Sequence, residues 1–116
     1  WGIGELEDTT FDALHSEHDF FRRIRDDLNF APDGGDTINE VAERIVGALR
    51  RIYAKHDSAR PIVVVSHGAA LGIALATLLD ADASRWTNYH VDNCSVTELI
   101  LEPQPVVGAF NSIEHL

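Results

Sequence analysis

Apolar side chains recur at helical spacing in two stretches of the first half of the chain. The weaker stretch consists of Phe20, Phe21, Ile24 and Leu28, and it predicts a helix over about residues 18–29. The clearer stripe consists of Ile38, Val41, Ile45, Leu49 and Ile52. Thr37 and Glu40 have the spacing of a capping box, so we expect this second helix to begin at Thr37. Thr9 and Thr10 precede Phe11 and predict a further helix start near residue 10.

The second half of the chain contains a different hydrophobic pattern. Residues 62–66 are β-branched and apolar on both faces up to Ser66, which predicts a strand covered on both sides, as in a parallel sheet. Residues 69–79 follow directly and are apolar nearly all round, which is typical of a buried helix. The order helix, strand, helix is that of an α/β layer fold.

The remaining segments predict connections and a hairpin. Residues 31–36 are rich in Pro, Gly and Asp and indicate a loop, and residues 80–90 indicate a loop with a short turn. Residues 95–102 and 106–110 are expected to form two strands. The prolines between them, Pro103 and Pro105, are consistent with a hairpin near a sheet edge.

Composition and charge narrow the function classes. The 116 residues, 45% hydrophobic and 24% charged, are typical of one globular domain spanning residues 1–116. A net charge of −10 disfavours nucleic acid and anionic membranes as partners, because both require cations. The single cysteine, Cys94, and the absence of a basic leader suit the cytoplasm. The chain has no methionine and starts at Trp1, so we expect it to be the C-terminal part of something longer.

His67 is the sharpest candidate for chemistry. It follows the predicted strand and precedes a helix start, and ligands of open α/β sheets bind at the carboxyl ends of strands. The free N–H groups of a helix start favour an anion, and Gly68 lets that anion approach the backbone. An imidazole there could donate a hydrogen bond to a phosphoryl oxygen. The alternative is a histidine satisfied by a neighbouring carbonyl beneath the loop.

Other residues offer weaker candidate sites. His15 and His18, with Glu17, could place two imidazoles on one helical face for a metal, but no third ligand is predicted and a solvated face explains them better. Ser66 has the position of a nucleophile elbow without the preceding Gly-x. Cys94 is expected to be a small apolar side chain next to a strand rather than a nucleophile.

Two further features have structural explanations. Glu5 and Glu7 could supply a replacement acid, but a solvated turn explains them better. The spacing of Gly68 and Gly72 is not a dinucleotide fingerprint, and close helix packing accounts for it.

Several motifs together resemble the C-terminal part of the histidine phosphatase superfamily, the phosphoglycerate mutase-like proteins. The motifs are Gly35-Asp36-Thr37 at the head of the long helix, the 62–68 segment ending in Ser66-His67-Gly68, residues 92–97, Asn111 with His115-Leu116, and residues 4–7. They occur in the family's order along nearly the whole chain. The resemblance implies a three-layer α/β/α phosphoglycerate mutase-like fold, incomplete at its N-terminus.

The resemblance also implies a chemistry. In the family, a histidine in an Arg-His-Gly motif attacks phosphorus, a second histidine stabilises the transition state, a carboxylic acid protonates the leaving oxygen, and arginines clamp the phosphate. His67 matches the second histidine, with Gly68 and Ala69 as backbone phosphate-binding residues. Thr37 and Asn93 are candidate pocket-lining residues, beside their local roles as helix cap and turn residue. No cofactor or metal is implied.

Departures from the family's pattern shape the functional expectation. The only His-Gly follows Ser66, so the nucleophile motif is absent, and neither clamp arginine has a match. The family's acid would fall at or just before the front of the chain. Ala69 stands where mutase-like members tend to carry Asn, which favours a phosphatase. We therefore expect the intact protein to act on a small phosphorylated metabolite through phosphohistidine.

The alternatives to a phosphatase are a phosphomutase and a non-catalytic relative that acts as a binding module. The 116-residue chain alone is expected to be inactive. Its 62–66 strand would then lie exposed along one edge, so we also expect aggregation or pairing with a second copy as a homodimer.

Overall fold

A computed structural model describes residues 1–56 and 60–116 of the chain. Within these residues, the α-helices are α1 (Phe11–Ser16), α2 (Phe20–Asp26), α3 (Ile38–Lys55) and α4 (Gly68–Asp80). The same part of the chain contains 3₁₀ helices over Gly4–Leu6 and Ala83–Tyr89. The short strands β1 (Leu99–Ile100) and β2 (Val106–Val107) form an antiparallel pair. None of the described helices combines the length and the apolar character that crossing a membrane requires.

The predicted helix starts are confirmed where a local cap specifies them. Thr10 caps α1 by accepting a hydrogen bond from the Ala13 amide. Thr37 and Glu40 form the complete capping box of α3: the Thr37 hydroxyl accepts from the Glu40 amide at 3.0 Å, and the Glu40 carboxylate accepts from the Thr37 amide at 2.8 Å. Such reciprocal bonds satisfy amides that the helix itself leaves unpaired.

The second predicted helix is shorter than its hydrophobic pattern suggested. The pattern predicted residues 18–29, whereas α2 covers Phe20–Asp26. Asp19 precedes it with a left-handed backbone (φ 51°), and Asp27 follows it in an extended conformation. Neither conformation can belong to a right-handed helix, so the helix is confined to the residues between them.

The core lies where α3 and α4 pack together with the first helices. Its buried members are Leu14, Phe20, Ile24, Ile38, Val41, Ala42, Ile73 and Ala83. The apolar stripe of α3 is buried only at its N-terminal end, at Ile38 and Val41, whereas Ile45, Leu49 and Ile52 are half-buried. The part of α3 that leads towards residue 56 therefore lacks a full covering among the described residues.

Gly72 allows α4 to pack closely against the 3₁₀ helix Ala83–Tyr89. A methyl group at Gly72 would lie 2.8 Å from the Trp86 carbonyl oxygen and 3.3 Å from that of Tyr89. Those distances leave no room for a side chain, so the structure supports the packing explanation for this glycine.

Residues 62–66 do not form the strand that their composition predicted. Within the described part of the chain they pair with no neighbouring strand, and regular secondary structure begins again only at Gly68. Exposure nevertheless alternates along the segment: Ile62 is 38% exposed, Val63 87%, Val64 42% and Val65 91%. A period of two is the pattern of an extended strand, with Val63 and Val65 on the bare face. The segment has strand-like alternation but lacks a partner with which to form ladder hydrogen bonds.

The predicted hairpin is confirmed, with shorter strands. Leu99 pairs with Val107, and an isolated bridge joins Val96 to Ser112. Between these two pairings the chain advances three residues on the first side, from Val96 to Leu99, and five on the second, from Val107 to Ser112. The second side therefore carries two extra residues. Such insertions interrupt the ladder and bend the strand, which explains why the regular pairing is confined to two residues on each side.

Candidate functional site

His67 is the N-cap residue of α4 and is exposed. Its backbone is extended (φ −111°, ψ 150°), and its carbonyl oxygen accepts the first helical hydrogen bond, from the Leu71 amide at 2.9 Å. Its side chain makes no capping hydrogen bond. The imidazole is therefore free to meet a ligand and is not sealed beneath the loop, which was the structural alternative for this residue.

The start of α4 offers backbone donors beside that imidazole. Because helical bonding begins at the Leu71 amide, the amides of Gly68 and Ala69 belong to the first turn, whose N–H groups have no partner within the helix. The first turn contains no acidic residue that would compete with an incoming anion. The dipole of a 13-residue helix adds to the attraction, so this end of α4 can bind a negatively charged oxygen.

The loop after the second 3₁₀ helix forms a wall beside this helix start. A methyl group on Gly68 would lie 3.7 Å from the Val91 carbonyl oxygen and 3.9 Å from Val91 Cγ2, which is ordinary van der Waals contact. Glycine at position 68 therefore leaves a space of about one methyl group between the helix start and the loop.

Asn111 ties this wall to the C-terminal segment. The Asp92 amide donates to Asn111 Oδ1 at 2.7 Å, and Asn111 Nδ2 donates to Asp92 Oδ2 at 2.8 Å. The Asn111 amide in turn donates to the Thr97 hydroxyl at 3.1 Å. The sequence indicated only that residues 92–97 and Asn111 belong to family motifs. The hydrogen bonds between Asp92 and Asn111 join residues 19 positions apart, and no periodic pattern in the sequence indicates them.

The two predicted pocket-lining residues lie in different settings. Asn93 is exposed in the turn of the 90–95 loop, next to the wall. Thr37 caps α3, where its hydroxyl is engaged with the Glu40 amide. His67, Gly68 and Ala69 lie together because they are consecutive at the start of α4. The position of Thr37 is set instead by its role as the cap of α3.

The weaker candidates do not assemble into a site. Helix α1 ends at Ser16, so His15 and His18 do not share a helical face, and the His15 ring packs 5.7 Å from the Phe21 ring. Within residues 1–56 and 60–116, no three His, Cys, Asp or Glu side chains are placed to hold a metal ion. Cys94 is exposed with a left-handed backbone (φ 61°), two residues before the bridge that joins Val96 to Ser112. It lies in a turn, with its thiol open to solvent.

Arg85 and Arg44 each form an ion pair with a carboxylate of this chain. Arg85, the single Lys or Arg in residues 61–116, lies 3.4 Å from the Asp80 carboxylate. Arg44 makes a two-pronged pair with Asp36, at 3.1 and 2.7 Å. The Arg44 guanidinium, and then the Gly2 amide, lower the pKa of Asp36 from 3.8 to about 2. Both guanidinium groups are therefore already paired with carboxylates of this chain.

Comparison with known proteins places these motifs in a family. Residues 1–111 match the family model of the histidine phosphatase superfamily (branch 1). Among curated proteins, the chain is 32% identical to the probable phosphoglycerate mutase GpmB of Cronobacter sakazakii and 31% identical to that of Klebsiella pneumoniae. Each alignment covers 98% of this chain and 56% of the relative. The chain thus spans about half the length of the curated relatives it matches.

A solved structure supports the same fold. The chain superposes on a protein named "Mycobacterial hydrolase 1" with a TM-score of 0.73 and 22% sequence identity, over 95% of this chain and 60% of the other. This likeness confirms the predicted α/β phosphoglycerate mutase-like fold class.

Proposed function

The chain belongs to the histidine phosphatase superfamily, and on that premise we propose that it is the His67-bearing portion of a phosphatase for small phosphate esters. The observation that carries the proposal is the exposed His67 imidazole beside the first-turn amides of α4. An exposed imidazole next to backbone N–H groups without a helical partner is suited to the oxygens of a phosphoryl group.

In the proposed reaction, a nucleophilic histidine attacks phosphorus and forms a P–N bond while the ester P–O bond breaks. The leaving oxygen takes a proton from a carboxylic acid, and water then hydrolyses the phosphohistidine to free histidine and inorganic phosphate. His67 and the amides of Gly68 and Ala69 would stabilise the charge on the phosphoryl oxygens. The chain contains no Arg-His-Gly motif, so the nucleophile is assigned to a segment outside these 116 residues.

A phosphomutase is the second candidate, because the curated relatives are named probable phosphoglycerate mutases. Ala69 favours the phosphatase, since mutase-like members tend to carry Asn at that position. The two reactions are separated by supplying a phosphoglycerate and measuring free phosphate against the isomeric phosphoglycerate. Transfer of the phosphoryl group to water identifies the phosphatase, and its return to the substrate identifies the mutase.

The decisive experiment uses the complete reading frame that contains this chain. We expect hydrolysis of an aryl phosphate by that protein and essentially none by the 116-residue chain. His67→Ala should lower the rate about 10²–10³-fold, as removal of one oxyanion donor does in other enzymes. His15→Ala, which removes an exposed histidine of α1, is the matched control and should leave the rate unchanged.

Two results would contradict the proposal. Robust turnover by the His67→Ala protein would exclude the role assigned to this imidazole. A complete reading frame without an Arg-His-Gly motif, and without hydrolytic activity, would favour the non-catalytic binding module instead.

A further inference from the structure

The 90–95 loop lies against the start of α4 but has no helix or strand of its own to hold it there. Val91 is half-buried and approaches Gly68, as the 3.7 Å separation from a methyl group at Gly68 indicates. A loop without regular structure keeps such a position only if other bonds fix it. The position of this loop determines how much space lies above the first-turn amides.

Asp92 supplies those bonds one residue after Val91. Its backbone amide and its carboxylate both engage the Asn111 side-chain amide, one as donor and the other as acceptor, at 2.7 and 2.8 Å. The Asp92 carbonyl also accepts from the Ser95 amide at 3.2 Å, which closes the turn. Three hydrogen bonds at one residue therefore set the direction of the loop.

Asn111 is chemically suited to its side of this arrangement. It has a left-handed backbone (φ 51°), which asparagine tolerates better than most residues. Its side chain provides both an acceptor for the Asp92 amide and a donor for the Asp92 carboxylate, and only an amide side chain combines the two in this geometry. The neighbouring Ser112 is held by two backbone bonds to Val96, at 2.8 and 2.9 Å, so the anchor is itself fixed.

We propose that the Asp92–Asn111 pair is a positioning device for the phosphate site, holding the Val91 backbone at a set distance from the start of α4. The inference rests on the proposed function for its purpose, but the pair's control of the loop can be measured without any ligand. Asp92 and Asn111 are positioning residues, since they act through the loop and not on the phosphate.

A charge swap across the pair tests the inference. Asn111→Asp alone removes the amide donor and sets two carboxylates against each other. The double variant Asp92→Asn/Asn111→Asp restores both bonds. The side-chain amide at position 92 then donates to the carboxylate at position 111, and that carboxylate also accepts from the backbone amide of residue 92. Asp82→Asn is the matched control, because Asp82 is also an exposed carboxylate that accepts from a nearby backbone amide, that of Ser84.

The readout is the amide spectrum of the isotopically labelled protein expressed from the complete reading frame, first free and then titrated with inorganic phosphate. We expect Asn111→Asp to shift the Gly68 and Val91 amides and to weaken phosphate binding about tenfold, as loss of a supporting hydrogen bond does at other sites. The swapped double variant should regain the wild-type shifts and binding within about twofold, and Asp82→Asn should change neither.

The outcomes separate the two proposals. Unchanged Gly68 and Val91 amides in Asn111→Asp, or a folded double variant without recovery, would overturn the positioning role. If the complete wild-type protein does not respond to phosphate at Gly68 and Ala69, that result counts against the phosphate site. The ligand-free shifts would still decide the role of the Asp92–Asn111 pair.

Discussion

The ion pair between Asp36 and Arg44 gives a quantitative prediction for the substitution Asp36→Asn. Both carboxylate oxygens accept from Arg44, and Oδ2 also accepts from the Gly2 amide at 2.8 Å. Backbone bonds reinforce the same junction: the Asp36 amide donates to the Gly2 carbonyl at 2.9 Å, and the Trp1 indole N–H donates to the Asp36 carbonyl at 3.2 Å. Asparagine preserves the shape and the bond from Gly2, but it removes the charge and replaces one of the two acceptors for Arg44 with an NH₂ donor.

The pKa of Asp36 sets the size of the effect. A fall from 3.8 to about 2, caused first by Arg44 and then by the Gly2 amide, corresponds to ~2.4 kcal/mol at ~1.36 kcal/mol per unit. The Asp36 side chain is 27% exposed and that of Arg44 is 56% exposed, so solvent screens the pair. We therefore expect Asp36→Asn to lower the free energy of unfolding by ~1–2 kcal/mol at pH 7.

The sign of the pH dependence follows from the direction of the shift. A carboxyl whose pKa is lower in the folded state stabilises that state above its unfolded value of 3.8, and the contribution disappears as the pH falls through about 2. The difference between wild type and Asp36→Asn should thus be constant from pH 7 to about pH 5 and shrink steadily below pH 4.

Urea unfolding followed by tryptophan fluorescence measures this difference, since Trp1 packs against Phe20 and Trp86 and reports on the junction. Asp19→Asn is the matched control, because Asp19 pairs with Arg22 within a single turn and both side chains are about half exposed. It should destabilise the fold less than Asp36→Asn. An equal loss in the two variants at pH 7, or a difference for Asp36→Asn that persists unchanged to pH 3, would refute the reasoning.

Two further predictions concern α4 and the bare segment before it. Gly68→Ala should fold at least as stably as wild type, because the added methyl would lie at ordinary contact distances from Val91 and alanine favours a helix by ~1 kcal/mol over glycine. The same methyl should weaken phosphate binding, because it narrows the space beside Val91. Gly72→Ala should instead destabilise the fold by ~1–3 kcal/mol, since its methyl would meet the Trp86 carbonyl oxygen at 2.8 Å, and equal melting temperatures for the two variants would contradict both statements. Replacing Val63 and Val65 together by Lys should raise the concentration at which the chain self-associates, as measured by sedimentation. Lys at the less exposed Ile62 and Val64 should have a smaller effect, and association that is unaffected by the first pair would exclude this face as the contact.

The sequence predicted best those features that a few neighbouring residues determine. The start of α3 required only the capping box of Thr37 and Glu40, and the start of α4 required only the change from a β-branched run to an apolar helical one after His67. These signals act over three or four residues, so the structure reproduces them closely. The hairpin was predicted for a similar reason, from two prolines between two apolar runs.

Long-range contacts could not be predicted from the chain alone. The Asp36–Arg44 pair and the Asp92–Asn111 pair join side chains whose partners no periodic pattern specifies, over 8 and 19 residues. The ladder of the hairpin is shorter than predicted because the register changes within it, and apolar composition carries no information on register shifts caused by extra residues. The left-handed backbone of Cys94 could not be predicted either, since it belongs to a turn that composition does not reveal.

His67, Val63 and Val65 are exposed to solvent for the same structural reason. A strand in a parallel sheet ends where its neighbours end, and the ligand site forms from the residues that follow several such strands together. Here the 62–66 segment has no strand beside it among the described residues, so one side of the His67 site is open for the same reason that the Val63 face is. The present chain supplies one imidazole, the first-turn amides and the Val91 wall, whereas Arg85 is already paired with a carboxylate. Under the proposed function, the segment that covers Val63 and Val65 is also the one that brings the nucleophile and the phosphate clamp to His67. Burial of this apolar face and completion of the phosphate site would then occur together.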